Sequence, residues 1–262
     1  MTTAETKLTT HFLNQVLHVE PTQRWVRAMF NGVTVADSKR AILVRSTAPR
    51  RGRPTYYFPA EDVRMDLLTP NGEVKNDQHI GDATYYNLTA GDRTAEGAAW
   101  SFGEPFNSAE GFERANAPDL RGYVAFVWEK LDSWYEEGEE IFAHVRDPYK
   151  RIDCIQSSRH VKVTLNGEVV AESSRPIVLF ETGLRPRYYL PKIDVRSDLL
   201  RPSDSHTRCP YKGIASYYSM QVGDNLYEDI IWYYPQALPE SAKIAGGYVC
   251  FYDEKVDKFE VD

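Results

Sequence analysis

An internal repeat constrains this chain more than any other feature. The segment YYFPAEDVRMDLLTP, from Tyr56 to Pro70, lies over YYLPKIDVRSDLLRP, from Tyr188 to Pro202, with identity at 10 of 15 positions. Upstream, RWVRAMFNGVTVADSKRAILV from Arg24 matches RHVKVTLNGEVVAESSRPIVL from Arg159. Downstream, GDATYY at Gly81 matches GIASYY at Gly213, Trp100 matches Trp232, and GYVAF at Gly122 matches GYVCF at Gly247. The matches keep one order, so whatever folds once must fold twice. Each copy has to close its own core within roughly a hundred residues.

Inside each copy the hydrophobic period is two. Val26, Ala28 and Phe30 alternate with Arg27 and Met29 up to Asn31-Gly32, and the second copy does the same up to Asn166-Gly167. Asn-Gly between alternating runs is a strong hairpin signal, so each copy is expected to open with a β-hairpin. Further β-rich runs stand at AILVRS, PTYYFP, ATYYNL and YVAFVW, separated by Gly, Pro, Asn and Asp. The expected organisation is an N-terminal extension (1–23), a first β repeat (24–127), an acidic linker with helical spacing (128–158) and a second β repeat (159–262).

Several classes are disfavoured by composition. With 262 residues, 42% hydrophobic and 26% charged, the chain can bury a core and hold a pocket. A net charge of −7 argues against a phosphate-tracking surface, so nucleic acid is not an expected partner. No apolar run approaches the roughly 20 residues that span a bilayer. MTTAETKLTTHF has neither a basic nor an apolar leader region, so no membrane association and a cytoplasmic location are expected. Cys154, Cys209 and Cys250 are far apart and form no CxxC pair, which points to free thiols. His206 and Cys209 have an HxxC spacing with no second pair, and no metal is expected. Aromatics reach 13%, with 17 Tyr, and many of those rings must line something.

NGEVVAES, ETGLRPRYYLP, DVRSDLLRPS, CPYKGIASYY and EDIIWYYP together resemble the domain-of-unknown-function family 427, across both copies and most closely in the second. The resemblance implies a mainly β fold: two tandem homologous domains similar to the Mss4-like, tent-shaped sheets, joined here by a short helical linker. Zinc-bearing members of that fold group use paired CxxC motifs, which this chain lacks. The family has also carried a nucleotidyltransferase label. Polymerase-type transfer needs a Gly-Ser turn followed by spaced carboxylates holding Mg²⁺, and Asp194 and Asp198 have no such context.

The candidate site residues fall in the second copy. A thiol at Cys209 flanked by Arg208 and Lys212 would be stabilised as thiolate, and an amine at Lys212 shielded by aromatics such as Tyr211 would have its charge disfavoured. The plainer reading of the same loop is a tight turn at Gly213 with Cys209 and Tyr211 plugging a small core. Copy one has Asp77-Gln78-His79-Ile80-Gly81 there, so the fold requires the glycine and not the thiol or amine. Glu181, Arg185 and Arg187 sit on a turn before Tyr188-Tyr189, where guanidinium forks suit a carboxylate or phosphate. Copy one offers Arg50, Arg51 and Arg53, and a solvated turn is the plainer reading. In DVRxD an extended backbone would place Arg196 between Asp194 and Asp198 on one face, a structural rather than catalytic motif. Glu228, four residues before Trp232 as Glu96 is before Trp100, is a candidate acid or base. His160 replaces Trp25, suggesting one slot for two flat rings.

The expected function is a small-molecule enzyme without cofactor, performing proton-transfer chemistry of the isomerase, lyase or cyclase type. In this reading Arg187 and Tyr189 orient an anionic or aromatic substrate, with Tyr217, Trp232 and Tyr234 as pocket walls. Glu228 or Glu181 handles the proton, while Lys212 and Tyr211 stabilise developing negative charge and Cys209 is a further reactive candidate. The alternatives are a non-catalytic binding or sensing module and a structural protein. A homo-oligomer is compatible with any of them.

Overall fold

A computed structural model describes residues 17–46, 53–77, 80–103 and 118–262, and the chain splits into two units, Met1–Val145 and Arg146–Asp262. In the first, β1 (Leu17–Pro21), β2 (Val26–Phe30), β3 (Val33–Ser38), β4 (Ile42–Ser46) and β5 (Thr55–Pro59) precede three long strands, β6 (Leu68–Asp77), β7 (Gly81–Ala90) and β8 (Arg93–Phe102). β9 (Tyr123–Phe126), β10 (Ser133–Glu136) and β11 (Glu139–Ile141) complete it. The second contains β12 (Ile152–Gln156), β13 (Val161–Leu165), β14 (Glu168–Ser173), β15 (Ile177–Glu181), β16 (Arg187–Pro191), β17 (Leu200–Cys209), β18 (Gly213–Val222), β19 (Asn225–Tyr233), β20 (Tyr248–Phe251) and β21 (Lys258–Val261).

The repeat is reproduced strand for strand. A seven-stranded sheet runs β1-β4-β5-β9-β8-β7-β6 in the first domain and β12-β15-β16-β20-β19-β18-β17 in the second. The smaller sheets run β11-β10-β2-β3 and β14-β13-β21, so β11 alone has no counterpart. Bulges recur at matching places, for example Tyr86/Leu88 on β7 and Tyr218/Met220 on β18.

Both Asn-Gly hairpins form as expected. Asn31 (φ 48°) and Gly32 (φ 74°) match Asn166 (φ 47°) and Gly167 (φ 77°), the left-handed pair that a two-residue turn needs to match strand twist. Alternation then sorts side chains between two faces of each large sheet. On β16, β19 and β20, Leu190, Ile231, Val249 and Phe251 join the core shared with Val161, Val163 and Leu165 of the small sheet. Their neighbours Tyr189, Trp232 and Cys250 join a second, aromatic cluster on the other face. Burying such rings removes large apolar areas from water and is a main stabilising contribution of this face.

Three expectations are corrected. Residues 128–158 are not a helical linker: Trp128–Lys130 is one 3-10 turn, β10 and β11 complete the first domain, and β12 opens the second. Trp134 is buried at 3% exposure, and this burial, not the acidic charge around it, decides the local structure. The repeats therefore begin one strand earlier than the hairpins, at β1 and β12, and the stretch assigned to an N-terminal extension contributes Leu17–Pro21 to a sheet. Finally, DVRxD is not extended. Two 3-10 turns, Lys192–Asp194 and Ser197–Leu199, flank Val195, which bridges to Ala171 and is buried. The turns separate the two carboxylates: Asp194 accepts from Ser173 Oγ (2.7 Å) and Arg175, while Arg196 forks onto Asp198 at 2.8 and 2.6 Å. Copy one repeats this with Ser38, Arg40 and Asp62, and with Arg64 and Asp66.

The ring slot is a polar one. Trp25 Nε1 donates to Asp37 (2.6 Å), and His160 Nε2 lies 2.9 Å from Glu172, the acid at the same hairpin position. Among the described residues, no helix is long and apolar enough to cross a membrane.

Candidate functional site

The aromatic face of the second domain opens into a cavity of about 330 Å³. Antiparallel register builds its floor: Tyr217 on β18 stands opposite Trp232 on β19, which stands opposite Cys250 on β20, itself opposite Tyr189 on β16. Trp232 Nε1 donates to the Tyr189 hydroxyl at 3.0 Å, with the rings edge to face at 86°. The first domain makes the same pair, Trp100 Nε1 to Tyr57 at 3.1 Å and 89°, so this element belongs to the fold. The Tyr217 hydroxyl lies 2.7 Å from Thr207 Oγ1. Burial raises the pKa of Tyr189, Tyr234 and Tyr252 well above the usual phenol value, so these hydroxyls keep their protons.

Charge is concentrated on one wall. Glu181, 6% exposed at the end of β15, takes a short ion pair from Lys212 (14% exposed) and a second from Lys150 at 3.1 Å. Burial pushes its carboxyl pKa up, but hydrogen bonds and Coulomb attraction from the two ammonium groups outweigh it and hold the pKa below the ordinary glutamate value. Next to it, Arg187 contacts Asp253 and bonds Glu254 at 3.0 and 3.3 Å, with its guanidinium 5.3 Å from the Trp232 ring centroid. Arg185 reaches the same two acids at 3.1 and 2.6 Å. The acids share their charge unevenly. Burial and Glu254 raise the Asp253 pKa, whereas the hydrogen bond from Arg187 lowers that of Glu254.

Seven of the ten residues singled out in the sequence border the cavity: Glu181, Arg187, Tyr189, Lys212, Tyr217, Trp232 and Tyr234. Tyr211, Cys209 and Glu228 do not. Tyr211 is buried beside the segment entering the domain, where its hydroxyl accepts from the Asp147 amide at 2.6 Å, and burial raises its pKa to about 12. Cys209 ends β17 opposite Gly213, half-buried. Glu228 is exposed because a bulge intervenes: Asp229 has φ 48°, and the register slips between Tyr218 and Met220 on the facing strand. The bulge breaks the alternation that would align residues four apart. Glu96 is also exposed, before Gly97 at φ 57°.

Lys212 also departs from expectation, because its ammonium meets a buried carboxylate instead of being isolated among aromatics. His206 Nδ1 faces Ser216 Oγ at 3.2 Å, and no group of three metal-ligating side chains converges among the described residues. Arg50, Arg51, Gln78 and His79 lie outside the described residues.

The sequence reading missed Asp253, Glu254, Lys150, Thr207 and Tyr252. Asp253-Glu254 follow GYVCFY directly, where copy one has Trp128-Glu129, and that contrast was the available signal. Lys150 had none, since it lies in the stretch read as linker.

One comparison with known proteins bears on both domains. A model of the family described as "Domain of unknown function (DUF427)" matches residues 18–137 and 153–262. The chain belongs to the DUF427 family. Its two matched segments coincide with the two β domains, so this is a tandem DUF427 protein, with β10 inside the first match and β12 entered by the second. A search of curated proteins gave no match.

Proposed function

We propose that the second DUF427 domain binds a small planar anion, an aromatic carboxylate or a compound of like charge and shape. The observation that carries this reading is the wall composition. Lys212, Arg185 and Arg187 border a tyrosine- and tryptophan-lined cavity together with the carboxylate Glu181. Asp253 and Glu254, the acids paired with the two guanidiniums, are not among its lining residues, so an anion in the cavity competes with those two acids for the arginines. Desolvated guanidinium and ammonium groups recognise carboxylates strongly, and protonated tyrosine hydroxyls supply hydrogen bonds without adding charge. The volume lies within the range typical of small-ligand sites. Three free thiols suit a reducing, cytoplasmic setting.

Calorimetric titration with a panel of benzoate- and indole-type carboxylates tests this. Binding is expected to weaken at least about tenfold in Arg187→Met and Lys212→Met, the worth of one charge-assisted hydrogen bond. Unchanged affinity in both variants, with melting curves showing them folded, refutes the reading.

A proton-transfer enzyme is the second reading, and the Lys212–Glu181 hydrogen bond favours it as a buried acid–base couple facing the cavity. In this reading the Glu181 carboxylate takes a proton from the substrate while Lys212 gives one to the developing oxyanion, and the proton on Glu181 then passes to Lys212 along their hydrogen bond. Turnover of a bound ligand that vanishes in Lys212→Met supports it. Binding with no product on prolonged incubation leaves the binding module.

A further inference from the structure

The first domain has a cavity of its own, about 510 Å³, whose lining corresponds to that of the second domain's cavity over only part of its wall. Pairing fixes the correspondence. Thr55 faces Val44 as Arg187 faces Leu179, and Tyr85 faces Trp100 as Tyr217 faces Trp232. Counting on from β9 and β20 sets Val127, Trp128 and Glu129 against Tyr252, Asp253 and Glu254. Across this shared rim the aromatic pair is kept and the charged clamp is reduced to one exposed pair: Thr55 replaces Arg187 and Trp128 replaces Asp253, while Arg53–Glu129 stands where Arg185–Glu254 does. Lys212, on the loop before β18, has Ile80 as its counterpart.

Aromatic surface replaces the lost charge. Trp128 stacks on Trp134 (4.7 Å, 6°) and Tyr85 on Trp100 (6.1 Å, 26°), and both stacks border the cavity with Tyr56 and Phe126. The polar ends of three of these rings are already engaged. Tyr56 donates to Glu136 (2.7 Å), Trp134 to the Trp128 carbonyl (3.3 Å) and Trp100 to Tyr57 (3.1 Å). Tyr56 and Trp134 are buried and back the wall, so the apolar ring surface open to a ligand is that of the half-buried Trp128, Tyr85 and Trp100. Arg53 and Glu129, both exposed on the rim, pair with each other at 3.5 Å. His144 points Nδ1 at the Val145 carbonyl, 2.7 Å away.

We infer that the first domain is a second binding site of different chemistry, taking a neutral planar aromatic or heteroaromatic molecule held by ring stacking and burial. Such contacts need no charge on the ligand, and the cation bordering this wall, Arg53, is solvent-exposed and already paired with Glu129, so a desolvated anion gains little there. The duplication thus provides one anion-selective and one neutral-selective site on a common aromatic frame.

The test uses the full chain and fluorine NMR of 5-fluoroindole, a neutral probe, with Trp fluorescence as a second readout. The latter is favourable because Trp100, Trp128 and Trp134, three of the five tryptophans, border this cavity. Thr55→Arg and Trp128→Asp place the second domain's residues on the rim, and each is expected to weaken the probe at least about tenfold. Arg187→Met and Trp232→Phe, in the other domain, are expected to leave it unchanged. Trp128 supports Trp134, so Thr55→Arg, on the half-buried rim, serves as the variant least able to disturb the core. The inference is overturned if wild-type protein neither broadens the probe signal nor changes its fluorescence up to low-millimolar probe. It is equally overturned if Thr55→Arg melts like wild type and binds the probe as well, or if Trp232→Phe abolishes binding. Failure of the second domain to bind anions does not touch this result.

Discussion

Trp128 and Asp253 occupy one position in two copies of the same fold, and around them the copies diverge by kind and not by degree. Behind that position the frame is constant, with the Trp–Tyr hydrogen bond, the facing tyrosine of the long hairpin and the bulge before the tryptophan all present twice. In front of it, one domain builds linked ion pairs and the other builds stacked rings. The lesson is about separability. Because alternation assigns the frame to strand interiors, residues at strand ends and in the following turns can change polarity without altering the sheet.

The largest expected break in this comparison comes from Glu181→Ala, which strands two lysine ammonium groups in a partly dry site. We expect a loss of about 3 kcal/mol confined to the second domain, the usual cost of removing one partner from a buried pair. Urea denaturation resolving the two domains checks it, and a loss shared equally by both would dissolve the contrast.

Part of that loss should appear on acidification. The Glu181 carboxyl is held below its ordinary value in the fold, so its stabilising contribution is full above that value and disappears as pH falls through the folded pKa. Melting of the second domain should therefore drop steeply in that acid range, and Glu181→Gln should flatten the drop.

The frame predicts symmetry instead. Trp100→Phe and Trp232→Phe each delete one indole N–H donor to a tyrosine hydroxyl, at about 1 kcal/mol in either domain by the same denaturation experiment. A markedly larger cost at Trp232 would mean that the charged wall leans on it. Smallest of all, Arg64→Ala and Arg196→Ala remove solvent-exposed forks on Asp66 and Asp198 and should leave both melting temperatures unchanged within error.

The frame was legible in the sequence because its signals are local. Asn-Gly needs only its own backbone preference, and alternating apolar residues declare a strand wherever one face is buried. What escaped depends on partners far along the chain. Trp134 and its acidic neighbours have helical spacing, yet the strand forms because β2 is there to pair with it. DVRxD alternates like a strand, yet Val195 is drawn into a bridge between two tight turns. Glu228 failed through one bulge, which changes a face without changing a residue count. The paired lysines on Glu181 and the acids holding Arg187 lie 31 to 67 residues from their partners and leave no mark in local pattern.

β11 closes the outer side of β10 in the first domain, and among the described residues nothing does so for β21. That strand consequently presents unpaired amide and carbonyl groups, the template on which foreign strands add and aggregation begins. Lys258 and Glu260, bonded to each other at 2.7 Å, stand along it. Any chain docking there has to strip water from that ion pair first, so two charged side chains oppose self-association where the sister domain uses a strand.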